Sequence, residues 1–261
     1  TTLRPEATAA VRGGLSLTGN PSSVHQFGRL ARCAIEDARD AVAELVGALP
    51  AEVVFTSGGT EANNLAIRGV SGRRVLASAV EHPSVLGAAD AIDLVPVDGE
   101  GIVNLAALTD LLAADDAPAL VSVMLANNET GVVQPLATVA EIVHNHDAVL
   151  HCDAVQAAGK IAIDCNNLGV DLLTLSAHKL GGPAGVGALV ITGDITATAV
   201  NCGGGQERGF RAGTENTAGI VGLGAALSLA RSRMASVGEL TIALRDALHI
   251  LFKEALPGVV L

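Results

Sequence analysis

The stretch Val149-Leu150-His151-Cys152-Asp153-Ala154-Val155-Gln156 places a carboxylate directly after a short apolar run. A second apolar run, Leu172-Leu173-Thr174-Leu175, is followed by Ser176-Ala177-His178-Lys179. Short apolar runs of this kind are typical of buried strands, and polar groups that follow such strands gather at the carboxyl edge of an open α/β sheet. The sequence therefore predicts that Asp153 and Lys179 belong to one site at this edge.

An amine and a carboxylate in this arrangement are the two groups that pyridoxal phosphate requires. The amine of Lys179 can hold the cofactor's aldehyde as a Schiff base, and the Asp153 carboxylate can keep the pyridine nitrogen protonated, so that the ring acts as an electron sink. The alternative is a surface lysine beside the Gly181-Gly182-Pro183 turn, which is the better interpretation of an isolated His-Lys pair. The other motifs of the chain favour the cofactor site.

Two of these motifs lie at further junctions between a strand and a helix. Ser57-Gly58-Gly59-Thr60 follows the apolar run Val53-Val54-Phe55. Its glycines let the backbone approach an anion, and the Thr60 hydroxyl and the helix N-terminus can donate to phosphate oxygens. Glu81-His82-Pro83-Ser84 places an imidazole where it can stack on a pyridine ring and move protons. Alone, a Gly-Gly pair is more often a turn and a lone histidine a cap, so the prediction depends on their convergence.

Amides and a glycine-rich loop complete the set of candidate groups. One amide of Asn127-Asn128-Glu129, or that of Gln156, can bond the cofactor's phenolic oxygen, while Ser176 and His178 can reach phosphate. The loop 203–216 carries Arg208 and Arg211 and leads to a helix that begins near Thr214. A flexible surface loop with solvated charges is the alternative to an anion-binding or interface role for this segment.

Strand-like and helix-like segments alternate along the chain, which is typical of a parallel sheet with crossover helices. Helices are predicted over residues 23–47, 60–70, 83–91, 136–146 and 216–252, and further strands over 53–55, 74–79, 119–125 and 186–192. Residues 257–261, Pro-Gly-Val-Val-Leu, suggest the first strand of a further domain. We expect an N-terminal segment over 1–15, a cofactor-binding domain over 16–233, and a helix with the start of a truncated C-terminal domain over 234–261.

Composition excludes several classes of function. The 16 basic and 27 acidic residues give a net charge of −11, without a basic run, which argues against nucleic acid and anionic membranes as partners. The sequence shows neither a membrane span nor a signal pattern, so a cytoplasmic or organelle-matrix location is expected. Cys33, Cys152, Cys165 and Cys202 lack the spacing of a zinc site or of a disulfide framework, so no metal is expected.

Taken together, the ordered motifs resemble those of NifS/IscS-type cysteine desulfurases, in the class V aminotransferase group of fold-type I pyridoxal phosphate enzymes. The resemblance covers nearly all 261 residues and rests on residues 19–25, Gly-Asn-Pro-Ser-Ser-Val-His, on residues 55–66, and on the Asn128, Asp153, Lys179 and 203–216 elements. It implies an α/β fold in which a mainly parallel central sheet has helices on both faces, followed by the start of a small C-terminal α+β domain.

The resemblance also implies a role for each matching residue. Lys179 would be the Schiff-base lysine, Asp153 the partner of the pyridinium, and His82 the stacking ring and proton carrier. The other residues would hold the cofactor: Asn128 and Gln156 at the phenolic oxygen, Gly59, Thr60, Ser176 and His178 at the phosphate, and Thr214 at the phosphate of the other subunit of a homodimer.

The activity implied is the conversion of L-cysteine to L-alanine. A base removes the α-proton, a protein thiolate attacks the substrate sulfur, and the resulting persulfide passes to an iron–sulfur scaffold or a thiolation acceptor. The family's loop cysteine and substrate-binding arginine have no match in this sequence, and Cys152, adjacent to Asp153 on a strand, is expected to point away from the cofactor. Two alternatives stay open: a cysteine or selenocysteine lyase-type relative, and an inactive partner subunit that binds the cofactor.

Overall fold

One seven-stranded sheet organises the chain, and a computed structural model describes residues 1–193, 195–256 and 258 of it. The strands are β1 (Val53–Thr56), β2 (Arg74–Ser78), β3 (Asp93–Val95), β4 (Ala119–Ser122), β5 (Val149–Asp153), β6 (Leu172–Ser176) and β7 (Gly187–Ile191). The helices are α1 (Pro5–Leu15), α2 (Gln26–Val46), α3 (Gly59–Gly69), α4 (Pro83–Leu86), α5 (Leu105–Ala113), α6 (Leu136–His144), α7 (Cys165–Leu168) and α8 (Thr217–Ala255).

The strand order in the sheet is β1-β7-β6-β5-β4-β2-β3. The pairs from β3 through β6 are parallel, whereas β7 is antiparallel to both β6 and β1. A parallel crossover needs a dozen or more residues, and the link from Ser176 to Gly187 is too short to hold one. The predicted mainly parallel sheet is therefore confirmed, and β7 is the strand that departs from it.

Alternation along the strands divides the core into two layers, one on each face of the sheet. On one face, α3 packs Ala62 and Leu65 against a layer that includes Leu120 and Leu172. On the opposite face, α2, α6 and α8 cover a layer that includes Cys152 and Leu173. The prediction that Cys152 points away from the site is confirmed, because Asp153 opens on the α3 side while Cys152 lies in the other layer.

Several predicted boundaries differ from those observed. The helix predicted over 83–91 ends at Leu86, because Gly87 follows and glycine disfavours the helix interior. Residues 217–255 form one helix of 39 residues, and the sequence does not predict α1, β3, α5 and α7. The strand predicted at residues 259–261 lies outside the described residues. Within the described part of the chain, no helix has the length and apolar character that a membrane span requires.

Candidate active site

A cavity of about 600 Å³ opens at the carboxyl edge of the sheet, next to the ends of β5 and β6. It brings together all but one of the residues predicted for the site: Gly59, Thr60, His82, Asn128, Asp153, Gln156, Ser176, His178 and Lys179. Strands β1, β2, β4, β5 and β6 each end at this cavity, which is why residues that are distant in the sequence meet there.

One end of the cavity is suited to an anion. Gly58 and Gly59 lead from β1 into α3, an 11-residue helix whose first residues line the cavity, so that its N-terminus is available to an anion. The turn packs closely on β7, since a Cβ added to Gly187 would lie 2.7 Å from the carbonyl carbon of Gly58. The Ser176 hydroxyl lies 2.9 Å from His178 Nδ1, so backbone and side-chain donors converge on one place.

The floor of the cavity is formed by Asp153, whose exposed fraction is 5%. Its carboxylate accepts hydrogen bonds from Asn63 Nδ2 at 2.8 Å and from the Val155 amide at 2.9 Å. Burial raises the pKa of Asp153, and these two donors together with the charge of His82 only partly oppose the rise. None of the described arginine, lysine or histidine side chains forms an ion pair with Asp153. A protonated ring nitrogen of a ligand would supply the missing cation.

Lys179 ends the 3₁₀ turn that follows β6, so its amine reaches the cavity from the strand beside Asp153. Lys160 is a second lysine in this region. Burial lowers its pKa, and the nearby charge of Lys179 lowers it further. Lys160 is engaged elsewhere: its Nζ donates to the Gln156 carbonyl at 2.5 Å and to Gln156 Oε1 at 3.2 Å. Lys179 is therefore the amine available to a ligand that fills the cavity.

The neighbouring amides Asn127 and Asn128 have different roles. Asn127 is 9% exposed and holds its own turn, donating to the Val80 carbonyl and accepting from the amides of Glu129 and Thr130. Asn128 lines the cavity and donates to Glu129 Oε1 at 2.5 Å. The structure thus gives Asn127 the turn-forming role that two adjacent asparagines suggest, and it places Asn128 at the site.

Thr214 is the predicted site residue that this chain does not bring into the cavity. It is exposed and lines a separate, smaller cavity with Phe55, Arg211 and Asn216. The arginines of the loop 203–216 bond groups of the same chain: Arg211 pairs with Glu61 at 2.8 Å, and Arg208 donates to the Val53 carbonyl. The ion pair with Arg211 and a hydrogen bond from Ser57 outweigh burial and lower the pKa of Glu61.

Sequence reasoning missed Asn63 and Ser84, which both line the cavity. Asn63 follows the Gly59 turn by one helical turn on α3, and Ser84 follows His82 by two residues in α4. Their positions in the quoted motifs were visible, but nothing in the sequence indicated that Asn63 bonds both Ser84 and Asp153. No cysteine lines this cavity in the part of the chain that the structure describes.

A lysine and an aspartate at the ends of neighbouring parallel strands, with a glycine turn that opens a helix, define a pyridoxal phosphate-binding domain of fold type I. The chain belongs to the aminotransferase class-V family, which it matches over residues 1–260. The residues present fit the cofactor of that family, pyridoxal phosphate: within the described ranges Asp153 has no cationic partner, the Lys179 amine lines the same cavity, and the glycine turn is suited to phosphate.

Named relatives are similar over most of the chain. A cysteine desulfurase IscS of Dictyoglomus turgidum is 44% identical over 260 residues, which cover 94% of this chain and 66% of that protein. A cysteine desulfurase of Cereibacter sphaeroides is 46% identical over 245 residues, covering 88% and 63% respectively. The solved structure of a NifS-like protein from Rickettsia africae superposes with a TM-score of 0.88 at 35% identity, covering 95% of this chain and 72% of that one. The chain thus spans about two thirds or less of the length of these curated relatives.

Proposed function

We propose that this chain is the cofactor-binding part of a cysteine desulfurase, which converts L-cysteine to L-alanine and passes the sulfur on as a persulfide. The observation that carries the proposal is the meeting of Lys179, Asp153 and His82 in one cavity, on a chain 44% identical to a protein named cysteine desulfurase.

Each of these side chains has a defined task in the proposal. Pyridoxal phosphate, when bound, withdraws electrons from the α-carbon of an amino acid. The Asp153 carboxylate stabilises the positive charge of the ring nitrogen. The Lys179 amine is the group that can take a proton from the substrate α-carbon, and the His82 imidazole is a group that can supply one. The α3 N-terminus, Ser176 and His178 hold the phosphate, while Asn128 and Gln156 bond the phenolic oxygen.

Transfer of the substrate sulfur to a protein thiolate requires neither an oxidant nor a reductant. A protein thiolate attacks the substrate sulfur and forms a sulfur–sulfur bond, while the carbon–sulfur bond breaks and its electron pair returns to carbon. Protonation of that carbon yields alanine. Because no cysteine of the described residues lines the cavity, the thiolate in this proposal reaches it from elsewhere, and the curated relatives are longer than this chain.

A homodimer is part of the proposal. Thr214 is exposed and points to a different cavity of its own chain, which supports a role for its hydroxyl at the phosphate of a second copy. In this proposal the persulfide sulfur passes to an iron–sulfur scaffold protein or to a thiolation acceptor. The protein itself acts in the cytoplasm.

The proposed domain division places a second domain against the far half of α8. Its support is a set of large apolar side chains that α8 exposes between residues 237 and 252, including Leu240, Leu244 and Leu251. The cofactor-binding domain in this division is residues 16–233, the N-terminal segment is 1–15, and residues 234–261 begin the further domain.

The experiment is product analysis of the whole protein, including the part that supplies the thiolate, with L-cysteine and pyridoxal phosphate. We expect alanine and, after reduction with dithiothreitol, an equal amount of sulfide, with neither product from the Lys179→Ala variant. Pyruvate and ammonia in place of alanine would identify a lyase. A stable cofactor absorbance without any product from cysteine would identify an inactive cofactor-binding subunit, and either result would overturn the proposal.

A further inference from the structure

His82 and Asp153 are joined by a continuous chain of hydrogen bonds that is buried at Asp153 and exposed at His82. Asn63, whose exposed fraction is 1%, donates from Nδ2 to Asp153 Oδ2 and to Ser84 Oγ, both at 2.8 Å. Ser84 Oγ lies 2.7 Å from His82 Nδ1, and the Ser84 backbone amide donates to the same nitrogen at 3.1 Å.

The chemistry of these groups fixes the direction of each bond. A carboxylate has no proton to give, so the NH₂ of Asn63 must face Asp153. The same NH₂ donates to Ser84 Oγ, which leaves the Ser84 hydroxyl proton for His82 Nδ1. The Ser84 backbone amide can only donate, so two donors converge on Nδ1 and this nitrogen carries no proton.

One polar atom is left without a partner by this orientation. Asn63 Oδ1 is buried and unbonded among the described residues. An unsatisfied buried carbonyl is costly, but turning the amide over would set this oxygen against the Asp153 carboxylate, which cannot donate, and would draw the Ser84 hydroxyl proton away from His82. The amide orientation that forms these hydrogen bonds therefore leaves Asn63 Oδ1 without a partner among the described residues.

We propose that Asn63 and Ser84 are positioning residues that tie His82 to Asp153 and hold the neutral His82 ring with its proton on Nε2. Nε2 has no bonding partner among the residues that the structure describes, and the ring lines the cavity. His82 therefore presents a proton donor, not a proton acceptor, to a ligand there. The use of this donor on an amino-acid substrate rests on the proposed function, whereas the position of the proton does not.

The test is nitrogen NMR of the protein labelled with ¹⁵N in its histidine rings, at a pH where the His82 ring is neutral. His82→Gln identifies the resonances, and spectra are recorded with and without pyridoxal phosphate. We expect the Nε2–H form in about tenfold or greater excess over the Nδ1–H form. Ser84→Ala and Asn63→Ala should each lower this ratio about fivefold, the equilibrium effect of one hydrogen bond.

Two controls separate positioning from general stability. Asn64→Ala changes the next residue of α3, whose amide bonds the Thr60 carbonyl instead, and should leave the ratio unchanged. Ser84→Thr keeps the hydroxyl and should preserve the ratio. If Asn63→Ala does not fold, the ratio of the two His82 forms in Ser84→Ala decides the test.

Two results would overturn the inference: a proton on Nδ1 in the unaltered protein, or a ratio that Ser84→Ala leaves in place. Because the measurement requires no turnover, it is independent of the desulfurase proposal. Alanine formation with a proton on Nδ1 would contradict this inference alone, and the expected ratio without alanine would contradict only the proposed function.

Discussion

Arg39 and Glu207, 168 residues apart, form a buried two-pronged ion pair in which both nitrogen–oxygen distances are 2.9 Å. Glu207 Oε2 also accepts from the Phe55 amide at 2.8 Å, so the pair fastens the glycine-rich loop to β1. Glu207 and Arg208 have positive φ values of 45° and 56°. The pair holds this unfavourable backbone in place next to the strand that leads into the glycine turn.

Breaking this pair should destabilise the protein strongly. Glu207→Gln leaves the buried Arg39 charge with the half-exposed Glu36 as its remaining acidic partner. We therefore expect the free energy of unfolding in urea to fall by about 3 kcal/mol, the lower end of the range for a broken buried pair. The exposed pair of Arg233 with Glu6 offers a matched control, and Arg233→Leu should cost about 1 kcal/mol or less. A loss below about 1 kcal/mol for Glu207→Gln would show that the pair does not hold the loop.

Lysine attachment of the cofactor is tested by reduction with borohydride. The chain contains Lys160, Lys179 and Lys253, so the attachment site has few candidates. We expect Lys179→Ala to abolish the covalently attached chromophore and Lys160→Ala to retain it, although Lys160 bonds Gln156, which lines the same cavity. Peptide mapping that finds a reduced pyridoxyl group on Lys160 or Lys253 would refute the assignment.

The role of Asp153 is tested by exchange of the cysteine α-proton in deuterated water. Asp153→Asn removes the negative charge that faces the ring nitrogen, and losing one partner of a buried charge pair costs about 3–5 kcal/mol. We expect exchange to slow by about a hundredfold or more, with the lysine linkage still formed. Exchange at the original rate in this variant would rule out the charge-stabilising role.

Two buried groups should make stability depend on pH. Burial raises the pKa of Glu81 to about 8 and lowers the pKa of His151 to about 3. In the folded protein Glu81 keeps a proton that it loses in the unfolded chain above the ordinary pKa of a glutamate. The contribution of Glu81 to the free energy of unfolding is therefore lost as the pH rises toward 8. In the unfolded chain His151 takes up a proton below about pH 6.5, whereas in the folded protein it stays neutral. The contribution of His151 to the free energy of unfolding is therefore lost as the pH falls below about 6.5.

Between about pH 4.5 and 6.5 the slopes of Glu81 and His151 oppose each other, and above pH 6.5 Glu81 is the one of these two groups that still acts. The free energy of unfolding should fall by about 2 kcal/mol from pH 6.5 to 8. Glu81→Gln should remove this decline, and the exposed Glu100→Gln should keep it. An equal decline in Glu81→Gln would show that another group is responsible.

The shared site is tested with mixed dimers. Thr214→Val should weaken retention of pyridoxal phosphate about tenfold, the effect of one hydroxyl-to-phosphate bond. In a heterodimer of Thr214→Val and Lys179→Ala chains, one composite site loses both groups and the other keeps both. We expect one tight, lysine-linked cofactor for each heterodimer. Heterodimers that bind only as weakly as the Thr214→Val parent would place Thr214 at its own chain's site.

The sequence was informative where a local rule decides the structure. The apolar runs before Asp153 and Ser176 placed both groups at strand ends, and alternation along β5 placed Cys152 on the opposite face. The bond from Asn63 to Asp153 spans 90 residues, and no local pattern encodes a contact between the side chains of α3 and β5. For the same reason Thr214 was assigned by family resemblance, because its predicted partner lies on another chain.

The position of β1 has a consequence for the order in which the protein is assembled on the ribosome. β1 is the first strand of the seven-stranded sheet to be made, yet it pairs with the last strand of that sheet, with Phe55 facing Ala188. At about 5–20 residues per second, the synthesis of the chain between them takes on the order of ten seconds, during which the edges of β1 have no partner. The glycine turn gains its support from Gly187 only when β7 closes the sheet. We therefore expect the cofactor to bind only after β7 has closed the sheet.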